Sequence, residues 1–174
     1  MTAEEFVQLE IDDDSDHYRF ELIDGALLVR EGREPASGCV LANIVGLLGS
    51  YVRQHRLGTG YCGGTSVFID KKTVRSADVA FVPKERLMDE RWLLEPDLVV
   101  EVVSPSNHPR YMARKLDHYL SVGTRLVWYI DPGRRRIDVH RADGSTTVLL
   151  PSDTLSGENV VEGFACSVAE ILDT

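Results

Sequence analysis

Two carboxylates stand where a buried strand should hold none. Glu101 interrupts the apolar run Leu98-Val-Val-Glu-Val-Val103, and Asp78 interrupts Val74 to Val82 between Ala77 and Val79. A lone carboxylate in such a strand loses much of its hydration energy unless a cation or hydrogen-bond donors accompany it. Two of them facing each other from neighbouring strands would repel unless a divalent ion sat between them. Hard oxygen ligands with no His or Cys nearby point to magnesium, manganese or calcium rather than zinc. Lys115 lies three residues after Met112 and four before Tyr119, so it borders an apolar helical stripe. A helix packed back onto the sheet could bring that lysine to the carboxylates. Two carboxylates, a metal and an ammonium are the parts of metal-assisted phosphodiester hydrolysis: the metal activates water and the cations neutralise developing charge. The residues alone leave a second reading open, in which Asp78 caps or bridges at an edge strand and Glu101–Lys115 is one structural ion pair.

The elements that must position these groups can be read from periodicity. Thr2-Ala-Glu-Glu has the form of a capping box and opens a short helix, with a polar break over Asp12 to Asp16. Tyr18 to Ile23, Asp24-Gly25 and Ala26 to Arg30 read as a hairpin, because Asp-Gly supplies the positive dihedrals of a tight turn. Glu31 to Ser37 reads as a loop. Leu41, Ile44, Val45, Leu48 and Val52 then recur at three- and four-residue steps, a helix that Gly58 can end. Strands are predicted over Tyr61 to Ile69 and Val74 to Val82, and a third, buried on both faces, over Leu98 to Val103. Pro109 opens a helix over 109–122, and strands follow over Arg125 to Ile130 and Arg136 to His140. That order predicts one α/β domain over residues 1–174, a mixed sheet flanked by helices with an antiparallel edge. Pro96-Asp97 spells the start of a nuclease signature, yet Asp97 lies only four residues before Glu101 and reads as a strand-entry residue.

Composition sets the outer limits. The chain has 174 residues, 43% of them hydrophobic and 27% charged, the balance of a globular domain that needs no disulfide or metal to fold. Cys39, Cys62 and Cys166 are odd in number and far apart, which argues against a disulfide framework or a thiolate zinc site. The five histidines show no ligand spacing. The net charge of −9 is an N-terminal property, since residues 1–38 carry 11 acids against 3 bases and the remainder 17 against 16. A non-specific nucleic-acid coat protein would be basic, and this chain is not. The N-terminus lacks the pattern of a signal peptide, and no uninterrupted apolar run approaches the roughly 18 residues of a membrane span. The expectation is therefore a cytoplasmic protein without a membrane partner.

Several motifs in order carry a resemblance. Tyr18-Arg-Phe-Glu-Leu-Ile-Asp-Gly, Arg75-Ser-Ala-Asp-Val-Ala-Phe-Val, Pro96-Asp-Leu-Val-Val-Glu-Val-Val-Ser-Pro-Ser, Lys115-Leu-Asp-His-Tyr and Val127-Trp-Tyr-Ile-Asp-Pro resemble the Uma-two family of restriction endonuclease-like proteins. So do the late Asp153-Thr-Leu and Gly163-Phe, so the likeness spans roughly residues 3–172. It implies a restriction endonuclease-like mixed β-sheet flanked by helices, with an N-terminal helix and hairpin. It implies a DNA endonuclease using Mg2+ or Mn2+, acting on DNA as a homodimer. Carried over by residue, Asp78 resembles the metal-binding aspartate and Glu101 the glutamate of the third motif. Lys115 resembles the catalytic lysine, relocated to the next helix because Val103 stands where the superfamily pattern has it. Glu21 resembles a further acidic position of the site. The chain departs from the family at Ser37, where histidine is frequent, at Tyr111, where aspartate is common, and at Ala77, where proline precedes the aspartate. Independently, Trp128 and Tyr129 are consecutive and must face opposite sides of the sheet, so a helix or a second subunit has to cover the other face.

Overall fold

The computed structural model describes residues 1–9, 18–31, 35–87, 95–105 and 107–173. The polar break at Asp12 to Asp16, and with it most of the acidic cluster, lies outside the described residues. Thr2 and Glu5 close the expected capping box on α1 (Ala3–Val7), each side chain bonding the other's backbone N–H. The hairpin of β1 (Tyr18–Ile23) and β2 (Ala26–Glu31) turns at Asp24 and Gly25, whose φ angles are 52° and 83°. The long helix α2 runs Pro35–His55, starting earlier than its apolar period suggested.

Gly58 does a different job from the one expected of it. The chain leaves α2 through Arg56, at φ 54°, and Gly58 is the first residue of β3 (Gly58–Asp70). A Cβ on Gly58 would stand 2.2 Å from the Val82 carbonyl oxygen, so glycine is required there by the close approach to β4 (Thr73–Pro83). Both strands run longer than the sequence indicated. After them come β5 (Leu98–Val102), α3 (Pro109–Ser121), β6 (Leu126–Asp131) and β7 (Arg136–Arg141). Five elements escaped the sequence reading: a 3-10 turn over Lys84–Arg86, β8 (Thr146–Leu149), the ribbon of β9 (Thr154–Ser156) with β10 (Ala165–Ser167), and α4 (Val168–Leu172). The strands among them are three or four residues long, too short to display a period.

The sheet has eight strands in the order β2-β1-β4-β5-β6-β7-β8, with β3 paired to the other side of β4. Only β5 and β6 are parallel, and α3 makes the crossover between them. One face carries α2 and α4 over Phe81, Val100, Trp128 and Ile137. The other carries α3, whose Met112 and Tyr119 pack on Ala80, Val99, Val127 and Tyr129. Trp128 and Tyr129 therefore do face opposite ways, and both are covered within one chain. Helix α2 is long and apolar enough to cross a membrane by length and composition. Its stripe Val40, Ile44, Leu48 and Val52 is instead buried on the sheet, and the strands before and after it belong to that sheet.

Candidate active site at a fork in the sheet

β4 holds the site because its two edges are used differently. One edge pairs with β3 along almost its whole length. The other pairs with β1 at Val74 and with β5 only from Val79 to Phe81. Between those points β1 and β5 diverge, and residues 75–78 line the fork. Backbone N–H groups that a ladder would have satisfied are bonded by carboxylates instead. The Ser76 N–H donates to Glu21 Oε1 at 3.0 Å, and the Val102 N–H donates to Asp78 Oδ2 at 2.6 Å. On the β3 side the register slips between Cys62 and Thr65, so Gly63 and Gly64, at φ 90° and 87°, bulge opposite Asp78.

Among the described residues, three acids and three basic side chains meet here. Glu21, from β1, bonds Arg75 Nη1 at 2.9 Å and the Tyr111 hydroxyl at 2.6 Å. Lys115 comes down from α3, where Met112, Lys115 and Tyr119 form the buried stripe. Its Nζ lies 2.8 Å from Glu101 Oε1 and 3.4 Å from Glu21 Oε1, and it donates to the Ser76 carbonyl at 2.8 Å. Glu101 Oε1 also accepts from the Tyr119 hydroxyl at 2.7 Å. Asp78 immediately precedes Val79 on β4, and Val79 pairs with Val100 of the antiparallel β5, so Asp78 adjoins Glu101 across the fork. Its Oδ1 is paired with Arg19 of β1. The four residues singled out from sequence thus come together, with Glu21, Glu101 and Lys115 in one direct network and Asp78 beside it.

Sequence reasoning missed Arg75, Arg19, Tyr119 and His118. Arg75 was legible by the argument that found Asp78, since it is another charge inside an apolar strand. It is fully buried; its Nε donates to His118 Nδ1 at 3.1 Å, and its Nη2 has no partner. The others carry no pattern of their own, because their meaning depends on which strand or helix turn lies opposite. Tyr111, at a departure from the family, donates to Glu21 and presents its ring to Arg30 at 4.2 Å. Ser37 is buried in the first turn of α2 and makes no hydrogen bond to these residues among those described. Asp97 proves to be the strand-entry residue expected: its N–H bonds the Phe81 carbonyl, and its carboxylate holds Arg86 and Arg125.

The electrostatics follow from the contacts. Burial alone would raise the Glu21 carboxyl, yet Lys115 and Arg75 bring it below its ordinary range. Burial alone would lower Lys115, and Glu101 with Glu21 overcomes that and raises it. Both groups are therefore charged at neutral pH. Burial, then Arg75 and Arg114, lowers His118, in keeping with its Nδ1 accepting a hydrogen bond.

Among the described residues, no group of three or more His, Cys, Asp or Glu side chains stands ready as a metal cluster. The donor chemistry at the fork is nevertheless that of a hard cation: Asp78 and Glu101 offer carboxylate oxygens on adjoining strands. Glu21, Asp78 and Glu101 are balanced by Arg19, Arg75 and Lys115, so an entering divalent ion must displace a positive charge. Arg19 is the one placed to move. Its side chain is 23% exposed, against 0% for Arg75 and 6% for Lys115. It also lines a cavity of about 270 Å³ with Phe20, Gly63, Gly64 and Ser76. The two carboxylates have the chemistry of a hard-cation donor pair, and Arg19 is the group that would have to give way to such an ion.

Comparison with known proteins agrees with this architecture. Residues 3–169 match the Uma2 family, described as "Putative restriction endonuclease". Among solved structures, a "putative nuclease" from Anabaena variabilis superposes with a TM-score of 0.84 at 19% identity, over 99% of this chain and 97% of that one. That likeness establishes the fold, a mixed sheet flanked by helices. No curated protein matches the chain.

Proposed function

The chain belongs to the Uma2 family, and from that premise we propose that it is a divalent-metal-dependent DNA endonuclease acting at the fork of its sheet. The observation that carries this reading is the convergence of Asp78, Glu101 and Lys115 where β1 and β5 part, beside an aromatic-lined cavity. Asp78 and Glu101 would hold the cation, magnesium or manganese. When bound, that ion supplies an activated water and neutralises charge on the scissile phosphate. Glu21 holds Lys115 and Arg75 in place from the opposite strand. Lys115 keeps its proton, because Glu101 and Glu21 hold it charged despite burial. Charged in this way, it would orient the attacking water and donate to a phosphate oxygen as negative charge develops.

One observation favours a second reading, a nuclease-fold protein without catalysis that serves as a structural or interaction module. Among the described residues, each of the three acids already has a basic partner. Titration calorimetry with magnesium and manganese, paired with a supercoiled-plasmid cleavage assay, separates the two. The endonuclease reading expects metal binding and nicking by the wild type, both abolished in Asp78→Ala and Glu101→Ala. Absence of binding and cleavage in the wild type, or metal binding untouched by either substitution, overturns it.

A homodimer belongs to the same proposal. The two-sided strand β6 no longer argues for one, because α3 covers Tyr129, whose hydroxyl donates to the Met112 carbonyl at 2.8 Å. What still calls for pairing is the chemistry, since two active sites are needed to cut two strands together.

A further inference from the structure

The charged groups of this chain are mostly neutralised in pairs, as Arg86 and Arg125 are by Asp97 and Arg141 is by Glu158. Three that are not so paired gather in one concavity. Where the C-terminal half of α2 meets the first residues of β3 and the end of β4, a cleft of about 670 Å³ is lined by Arg53, Arg56 and Lys84. Among the described residues no other charged side chain lines it, and no carboxylate pairs with any of the three. Its remaining wall is short or apolar. Gly58 and Gly60 leave the β3 backbone uncovered, and Val45 and Leu87 supply hydrocarbon surface. In a molecule of net charge −9, three unpaired cations gathered in one concavity mark a site for an anion. A small inorganic ion would not use the hydrocarbon wall. A phosphodiester would use both, with its phosphate on the guanidinium groups and its sugar against valine and leucine.

We propose that this cleft is a second DNA contact, seating a backbone phosphate away from the cleavage site. The proposal rests on the DNA-endonuclease reading above for the identity of its ligand. The distance suits it. Lys84 directly follows β4 and stands six residues beyond Asp78, at most about 20 Å at the usual rise of a strand. That separation is about six base pairs of duplex. The contact is sequence-independent. It supplies the positive surface that the acidic composition otherwise withholds, and it leaves the choice of scissile bond to the fork.

The test is fluorescence anisotropy of a fluorescein-labelled 30-base-pair duplex across a salt series, in EDTA so that nothing is cut. The wild type, the triple variant Arg53→Gln/Arg56→Gln/Lys84→Gln and Glu101→Gln are compared, with plasmid cleavage measured separately. The triple variant should bind about tenfold or more weakly, and its log-affinity against log-salt slope should be shallower by about 2–3, near one unit per lost phosphate contact. Circular dichroism melting checks that the triple variant folds. Single Arg53→Gln and Lys84→Gln variants, each expected to lose about one unit of slope, serve if it does not. Unchanged affinity and slope in these variants overturn the proposal, even if the wild type cleaves. Wild-type binding that depends on the cleft without any cleavage overturns the endonuclease reading and leaves this one standing. A wild type that does not bind DNA at all overturns both.

Discussion

At the scale of single residues, Lys115 separates a working site from a static ion network. In Lys115→Met, Glu101 and Glu21 keep their burial and lose their shared cation, which should destabilise the fold by about 3–5 kcal/mol. If the fork binds metal, magnesium should recover part of that loss, because a divalent ion can replace the missing charge. The melting temperature of the variant should then rise with magnesium by more than that of the wild type. A large loss with no metal-dependent recovery would assign the lysine to structure alone. His118 gives a pH dependence whose sign is fixed. Burial and the nearby Arg75 and Arg114 lower its pKa in the folded state, while Asp24 and Asp70 oppose them. The unfolded chain, with its histidine near 6.5, then takes up protons first as pH falls. Stability should decline below about pH 6.5 and stop declining below the folded-state pKa. Glu21 acts in a lower window: its depressed pKa contributes stability that is lost only as pH falls below the ordinary carboxylate range. His140, also lowered by burial, acts in the same window as His118. The comparison is therefore wild type against His118→Gln, which keeps an acceptor for Arg75. Urea unfolding at pH 7.5 and 5.5 should show a smaller difference in the variant.

At the scale of elements, the fork depends on β4 being held differently along its two edges. The bulge at Gly63 and Gly64 releases β4 opposite Asp78, and it needs residues that accept positive φ. Gly63→Ala meets no neighbouring atom and should show the backbone cost alone, about 1–3 kcal/mol. Gly64→Ala adds a methyl 3.2 Å from Ser76 Oγ and should cost more. Urea midpoints rank the two, and equal values would mean that Ser76 yields freely. The helices divide their labour in the same spirit. α2 spends its apolar stripe on the core, whereas α3 gives one position of its buried stripe to an ammonium.

At the scale of the whole molecule, both faces of the central strands are covered by helices of the same chain. The core therefore makes no demand for a partner. A homodimer should accordingly join through surface rather than through an open core, and it should weaken on dilution. Light scattering over a concentration series should show a mass moving toward twice 19.4 kDa. A mass of one chain at the highest concentration reached would end the idea.

The charges Asp78, Glu101 and Lys115 were legible in the sequence because each violates the pattern of its own element. An ionised group within an apolar run, or on the border of an apolar stripe, is visible without any knowledge of its neighbours. The hairpin at Asp24-Gly25 and the doubly buried strand at Leu98 were legible for the same local reason. Which cation answers which acid was decided only by tertiary structure. Arg19 reaches Asp78 across 59 residues, and Arg75 takes Glu21 across 54, distances at which no sequence period survives. The fork itself is a matter of pairing: β4 shares one edge between β1, from the N-terminal hairpin, and β5, the strand that follows β4 in the chain. The basic cleft is of the same kind, since Arg53 and Lys84 become neighbours only when β3 runs back along β4. Local sequence states what a residue costs to bury; the fold alone determines what meets it there.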